Sequence, residues 1–163
     1  MSDRCIFLQV DGPGRPALQV LRNRHDPLAA QVPPHLTLVF PFTLDWPVRR
    51  LAALLERQRA DLPITFTLAP PVVDDDVLYF PVDRGRALVA ALHDRLYEAL
   101  PAELLADRPY RPHLTFGRTT PGTAVPEILA EAVPCATGTW TAGRLVLERI
   151  TAGGASEVEH VVS

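Results

Sequence analysis

Histidine and threonine recur together twice in this chain. Pro34-His35-Leu36-Thr37-Leu38 returns as Pro112-His113-Leu114-Thr115-Phe116, with 78 residues between the two histidines, close to half of the 163-residue length. In both copies the histidine and threonine lie two apart inside an apolar, β-like run. A period of two puts His35 and Thr37 on one face and Leu36, Leu38 and Phe40 on the other; His113 and Thr115 share a face in the same way. Each half of the chain therefore offers an imidazole beside a hydroxyl, projecting from a strand. If the halves are related by pseudo-symmetry, these faces meet across one cleft. Two imidazoles flanking a phosphodiester suit general acid–base chemistry, one taking a proton from the attacking oxygen and the other giving one to the leaving oxygen. The hydroxyls can donate to the non-bridging oxygens, where charge gathers in the transition state.

The elements that must position these residues follow from local pattern. Cys5 to Val10 reads as a buried first strand closed by a turn at Asp11-Gly12-Pro13-Gly14. Pro16 suits the first turn of a short helix with Leu18 and Leu21 on one side, broken at His25-Asp26-Pro27. Val32-Pro33-Pro34 is an extended lead-in to the strand from His35 to Phe40, because a residue before proline avoids the helical region. Asp45 and Pro47 announce a helix with an apolar face of Val48, Leu51, Ala52 and Leu55, stopped by Pro63. Ile64 to Leu68 alternates as a half-buried strand. Asp74-Asp75-Asp76 reads as a turn before the strand Val77 to Phe80. Asp83 is placed to cap a helix whose core positions are Val89, Leu92, Leu96 and Leu100, with Pro101 as its stop. Tyr110-Arg111-Pro112 leads into the strand from His113 to Arg118. A helical piece from Pro126 to Ala132, a strand within Thr139 to Ile150 and a last strand from Val158 to Val162 follow, the final two joined by a turn at Gly153-Gly154. Strands and helices mix without a strict βαβ rhythm, so an α+β arrangement with helices over antiparallel sheets is expected.

Composition narrows the chemistry. The chain carries 16 basic and 19 acidic residues, a formal net charge of −3. That balance does not suit gripping long duplex nucleic acid. Every basic residue is an arginine, which removes lysine Schiff bases and lysine-dependent phosphate loops. Cys5 and Cys135 form no metal-ligand or CxxC pattern, so a reduced, cytoplasmic setting is the simplest reading. The longest apolar stretches are too short for a signal core or a membrane span.

The paired motif resembles the 2H phosphoesterase superfamily, and within it the 2′-5′ RNA ligase-like proteins and cyclic phosphodiesterases, which carry two H-x-T/S-x motifs about half a chain apart. The resemblance covers nearly the whole length, from the first strand through His35-Leu36-Thr37-Leu38 and Pro41-Phe42 to Arg111-Pro112-His113-Leu114-Thr115-Phe116-Gly117-Arg118. It implies a single domain over residues 1–163: a bilobal, pseudo-symmetric α+β fold, antiparallel sheets lining a central cleft and helices outside. The implied chemistry is metal-independent and cofactor-free: hydrolysis of a 2′,3′-cyclic phosphate, or cleavage and joining of 2′-5′ linkages. His35, Thr37, His113 and Thr115 match the family's catalytic positions. Arg118 matches an arginine that can bind phosphate, although strict alternation from His113 sends it to the opposite face unless the strand ends or bulges at Gly117.

Phe42 and Tyr110, beside the motifs, are candidate stacking surfaces for a base, and Arg111 is a candidate phosphate contact. The expected partner is a small nucleotide or an RNA end, met by a monomer. His93 reads as structural, His25 as a turn residue, and His160 as a group that could flank the cleft from the last strand. Two readings compete with catalysis of this type. One is a non-catalytic module that binds nucleotides or RNA ends in the same cleft. The other is a metal-dependent hydrolase, for which the histidines lack an obvious third ligand in sequence.

Overall fold

The computed structural model describes residues 3–105 and 109–163. Eight strands occur in it: β1 (Asp3–Asp11), β2 (His35–Phe42), β3 (Ile64–Phe66), β4 (Val72–Asp74), β5 (Val77–Pro81), β6 (His113–Arg118), β7 (Trp140–Ile150) and β8 (Ser156–Val162). Four helices join them: α1 (Arg15–His25), α2 (Val48–Glu56), α3 (Arg86–Ala99) and α4 (Val125–Ala132). The strands form one sheet in the order β3-β7-β1-β2-β6-β5-β4, with every pairing antiparallel. β8 adds to β7 along the edge that β3 uses further up. The antiparallel sheets expected around the cleft are one continuous sheet, pinched at its middle. β2 and β6 share a single residue pair, Leu36 with Leu114.

The helices pack on one side of this sheet. Leu18 and Leu21 of α1, Leu51, Leu54 and Leu55 of α2, Val89, Leu92 and Leu96 of α3, and Ile128 and Ala132 of α4 join one core. Ile6, Leu8, Val10, Leu36, Leu114, Phe80 and Leu145 meet them from the strands. Cys5 and Phe7, on the alternate face of β1, fall instead in a smaller cluster with Val32 and Val146. β1 is thus buried on both faces, which is why Cys5–Leu8 is an unbroken apolar run.

The halves repeat one another. β1-α1-β2 and β5-α3-β6 are each two antiparallel neighbours linked through a helix. Each helix packs on the other half's motif strand, α1 on β6 and α3 on β2. Gly117 makes the first contact possible: a Cβ there would stand 2.6 Å from the Cβ of His25 at the end of α1.

One local expectation changes and another holds. Asp83 does not cap α3; its backbone N–H donates to the Thr67 carbonyl, and Gly85, at φ 82°, takes the N-cap position. Any side chain at Gly85 would also meet the Thr65 carbonyl oxygen at 2.5 Å, so backbone crowding outranks the capping carboxylate here. The turn at Asp74–Asp76 closes the β4–β5 hairpin, with Asp75 left-handed at φ 54°.

Candidate active site

The pinch between β2 and β6 is where both motifs stand. Leu36 and Leu114 turn into the core and are fully buried. Their neighbours His35, Thr37, His113 and Thr115 turn to the other side of the sheet and are half-buried. Antiparallel pairing centred on Leu36 and Leu114 sets His35 across from Thr115, and Thr37 across from His113. Each imidazole therefore faces the hydroxyl of the other half.

The two histidines are held by the same device. His35 Nδ1 is 2.9 Å from the Pro33 carbonyl oxygen, and His113 Nδ1 is 2.7 Å from that of Arg111. A carbonyl only accepts, so in each ring Nδ1 carries the hydrogen in the neutral form and Nε2 keeps its lone pair for chemistry. Both accepting residues precede a proline, which holds them extended. The prolines are anchored in turn: the Pro34 and Pro112 carbonyls accept from Val10 and Val82 N–H, both at 3.0 Å. Phe7 packs on His35 and Tyr79 on His113, each with ring centroids 4.9 Å apart.

Just past each threonine both strands bulge. Register slips between Ile6 and Phe7 opposite β2, and between Leu78 and Tyr79 opposite β6, leaving an extra residue after Thr37 and after Thr115. The burial sequence from His35 to Phe40 is accordingly the same as that from His113 to Arg118. The bulge brings Arg118 back to the histidine side. It pairs with Val77, which shares a face with Tyr79.

Burial pushes the His35 pKa down, and the charges of Arg22 and His113 push the same way. The Pro33 hydrogen bond and Asp26 oppose them. Arg22 lies behind the motif, 1% exposed, paired to Asp26 at 2.8 Å and donating to the Val32 carbonyl at 2.8 Å. Among the described residues, no cluster of three or more His, Cys, Asp or Glu is placed to hold a metal, and no helix is long and apolar enough to cross a membrane.

Residues 10–154 match the model of the 2′-5′ RNA ligase superfamily. The chain belongs to that superfamily. A protein of Geobacillus kaustophilus named "Putative phosphoesterase" is 30% identical to this superfamily member over 118 residues, which is 68% of the chain. The match takes in 65% of that relative's own length. Among solved structures, the TT0787 protein of Thermus thermophilus is similar with a TM-score of 0.66 at 21% identity, covering 99% of this chain and 97% of its own. Escherichia coli LigT without ligand gives 0.62 at 18%, covering 99% and 95%. At these identities the likeness concerns the fold, which is that of the 2H phosphoesterases.

Within the superfamily fold, the other candidates fall in different places. Arg118 stands on the cleft face at its rim, with its guanidinium 3.0 Å from the Asp76 carboxylate. Arg111 is exposed, and its carbonyl accepts the hydrogen bond from His113 Nδ1. Phe42 is 5% exposed and part of the core, because a second register shift, between Val39 and Phe42, cancels the bulge after Thr37 and sets it opposite Arg4; it does not line the cleft. Tyr110 does not present a free ring. It stacks on His93 with centroids 3.9 Å apart and donates its hydroxyl to the Thr37 carbonyl at 2.7 Å. That bond ties the second half to the first where the ladder between them is shortest. His93 is buried as expected. His160 faces α2, where Nε2 lies 2.9 Å from Glu56. Phe7, Tyr79, Arg22 and Asp26 were not candidates from sequence. The first two were legible in principle, since they occupy matching places in the two strands that precede the motifs.

Proposed function

We propose that this chain is a metal-independent phosphoesterase that hydrolyses 2′,3′-cyclic phosphates or cleaves and joins 2′-5′ RNA linkages, with His35 and His113 as acid and base. The observation that carries this reading is the matched anchoring of two imidazoles by Nδ1, at diagonal corners of one face whose other two corners are the threonines. A charge on either ring disfavours a charge on the other, so the pair favours holding one proton between them. Burial lowers the His35 pKa, which favours His35 in the role of neutral base, with His113 as the acid.

In hydrolysis, Nε2 of His35 takes a proton from water as its oxygen bonds to phosphorus. The bond from phosphorus to the ribose oxygen breaks, and that oxygen receives the proton from Nε2 of His113. Thr37 and Thr115 donate to the non-bridging oxygens, where each such donor contributes most as charge develops. The pair ends with its proton on the other ring, ready for the reverse reaction or for reset by solvent.

Structures of fold relatives support a small nucleotide as ligand: LigT is described in complex with 3′-AMP and with phosphate, and Kluyveromyces marxianus Usb1 with uridine monophosphate. The test is a screen of the purified protein, with and without chelator, against 2′,3′-cyclic nucleotides, 2′-5′ dinucleotides and RNA ends, with products identified. Turnover that survives EDTA and is lost in His35→Ala and His113→Ala supports the reading. Binding without turnover would replace it with a nucleotide-binding module. Loss under EDTA with rescue by one divalent ion would replace it with a metal-dependent hydrolase.

A further inference from the structure

The wall beside His35 contains a cation that the two-histidine chemistry does not use. Register places Gln9 of β1 opposite His35 of β2, and Arg144 of β7 opposite Gln9. Directly paired residues of an antiparallel sheet project to the same side. His35, Gln9 and Arg144 therefore form a row across three strands on the cleft face. Two strand spacings of about 4.8 Å put the Arg144 Cα roughly 10 Å from that of His35. Arg144 is exposed, and among the described residues it has neither an ion pair nor a hydrogen bond. It lines a concavity with Gln9, Arg15, Asp11, Thr141 and Gly143. The one carboxylate there, Asp11, is already answered by Arg15 at 3.5 Å. A Cβ on Gly143 would meet nothing within 4 Å, so the floor of this hollow is open.

The other half has no equivalent. Opposite His113 stands Pro81 in place of Gln9, and the β4–β5 pairing begins only at Tyr79. Pseudo-symmetry is broken on one side only, by a guanidinium in a chain whose net charge is −3.

We propose that Arg144, with Gln9 beside it, forms a subsite for a second phosphate of the substrate. This rests on the phosphoesterase reading and deepens it: the reacting phosphate lies between the histidines, and the part of the substrate that runs over β1 and β7 carries a further anion. A guanidinium suits that role because its planar fork donates two parallel bonds to phosphate oxygens. The Gln9 amide, between the two, can bond sugar or linking oxygens. The second phosphate has two possible sources, a 5′-phosphate on the reacting nucleoside or the next phosphate along an RNA strand.

The test uses the full chain and inert ligands, so that it reads binding whether or not turnover occurs. Affinities are measured by calorimetry for 3′-AMP, for adenosine 3′,5′-bisphosphate and for the dinucleotide ApAp without a 5′-phosphate. The wild type should bind at least one of the two-phosphate ligands about tenfold more tightly than 3′-AMP, the size of one charge-assisted hydrogen bond. Whichever ligand gains identifies the source. Arg144→Gln should abolish that gain and leave 3′-AMP affinity and thermal stability unchanged, and Arg144→Lys should keep part of it. Equal affinity of the wild type for all three ligands, or a gain that survives Arg144→Gln, would overturn the subsite. Failure of every cyclic or 2′-5′ substrate to react, with the Arg144-dependent gain intact, would overturn the catalytic reading and keep the subsite.

Discussion

Removing either member of the Arg22–Asp26 pair should cost more stability than any surface ion pair in the chain. The Arg22 side chain is 1% exposed and that of Asp26 9%. The guanidinium spends Nε on Asp26 at 2.9 Å and Nη2 on the Val32 carbonyl at 2.8 Å, while the other Asp26 oxygen accepts the Leu28 N–H at 2.9 Å. Among the described residues Nη1 has no protein partner, so nothing else is placed to take over the charge. Asp26→Ala leaves a buried cation uncompensated, and Arg22→Met leaves a buried carboxylate. Breaking a buried pair in this way costs about 3–5 kcal/mol. For a domain of this size that is a Tm drop of roughly 6–20 °C, and a large share of a total stability of about 5–15 kcal/mol. Urea titrations of both variants and of Arg22→Met/Asp26→Ala give the cycle. The double variant should cost less than the sum of the singles by at least about 1 kcal/mol. Single variants that each lose under about 1 kcal/mol would refute the reasoning, since that is the range of solvated pairs.

The same pair biases the site. Arg22 lowers the His35 pKa and Asp26 raises it, so Arg22→Met should move the acidic limb of kcat/KM to higher pH and Asp26→Asn to lower pH; shifts of equal sign would exclude this electrostatic link. Tyr110→Phe keeps the ring on His93 and loses the bond to the Thr37 carbonyl, so it should lose about 1 kcal/mol in urea titration and lower kcat while KM holds. Cys5 and Cys135 are 5% and 1% exposed, and burial pushes the Cys5 thiol up to about 12. Neither should react with a thiol reagent at pH 8 until the protein is unfolded.

Much of the site was legible because it is local. The repeat of Pro-His-Leu-Thr shows which side chains share a face, and the pre-proline residues whose carbonyls anchor both rings stand next to it in sequence. The strands and helices that carry the motifs also follow from apolar period and proline placement. What was not legible depends on register between distant segments. Phe7 and Tyr79 reach the histidines only through the pairing of β1 with β2 and of β5 with β6. Arg22 is an ordinary surface residue by pattern, the first of a polar run after Leu21, until the loop from Asp26 to Val32 folds over it. Phe42 lies beside the motif in sequence, yet β2 is irregular against β1 twice, after Thr37 and again between Val39 and Phe42, so the second shift cancels the first and Phe42, opposite Arg4, keeps the core face. The same bulge in β6 rescued Arg118, which strict alternation had turned away. One inserted residue, invisible in a period-two reading, decides the face of Arg118, and a second one in β2 undoes the first before Phe42.

The pH dependence of kcat/KM for the wild type, His35→Ala and His113→Ala tests the two-histidine mechanism most directly. One ring must be neutral and the other protonated at the same moment, so the wild type should give a bell. Its acidic limb should fall below the ordinary histidine value of 6.5, because the His35 pKa is lowered. Each single variant should lose about 10²–10⁴-fold in rate. His35→Ala should lack the acidic limb and His113→Ala the alkaline one. A wild-type profile flat from about pH 5 to 9, with chemistry shown to limit the rate, would contradict acid–base catalysis by this pair.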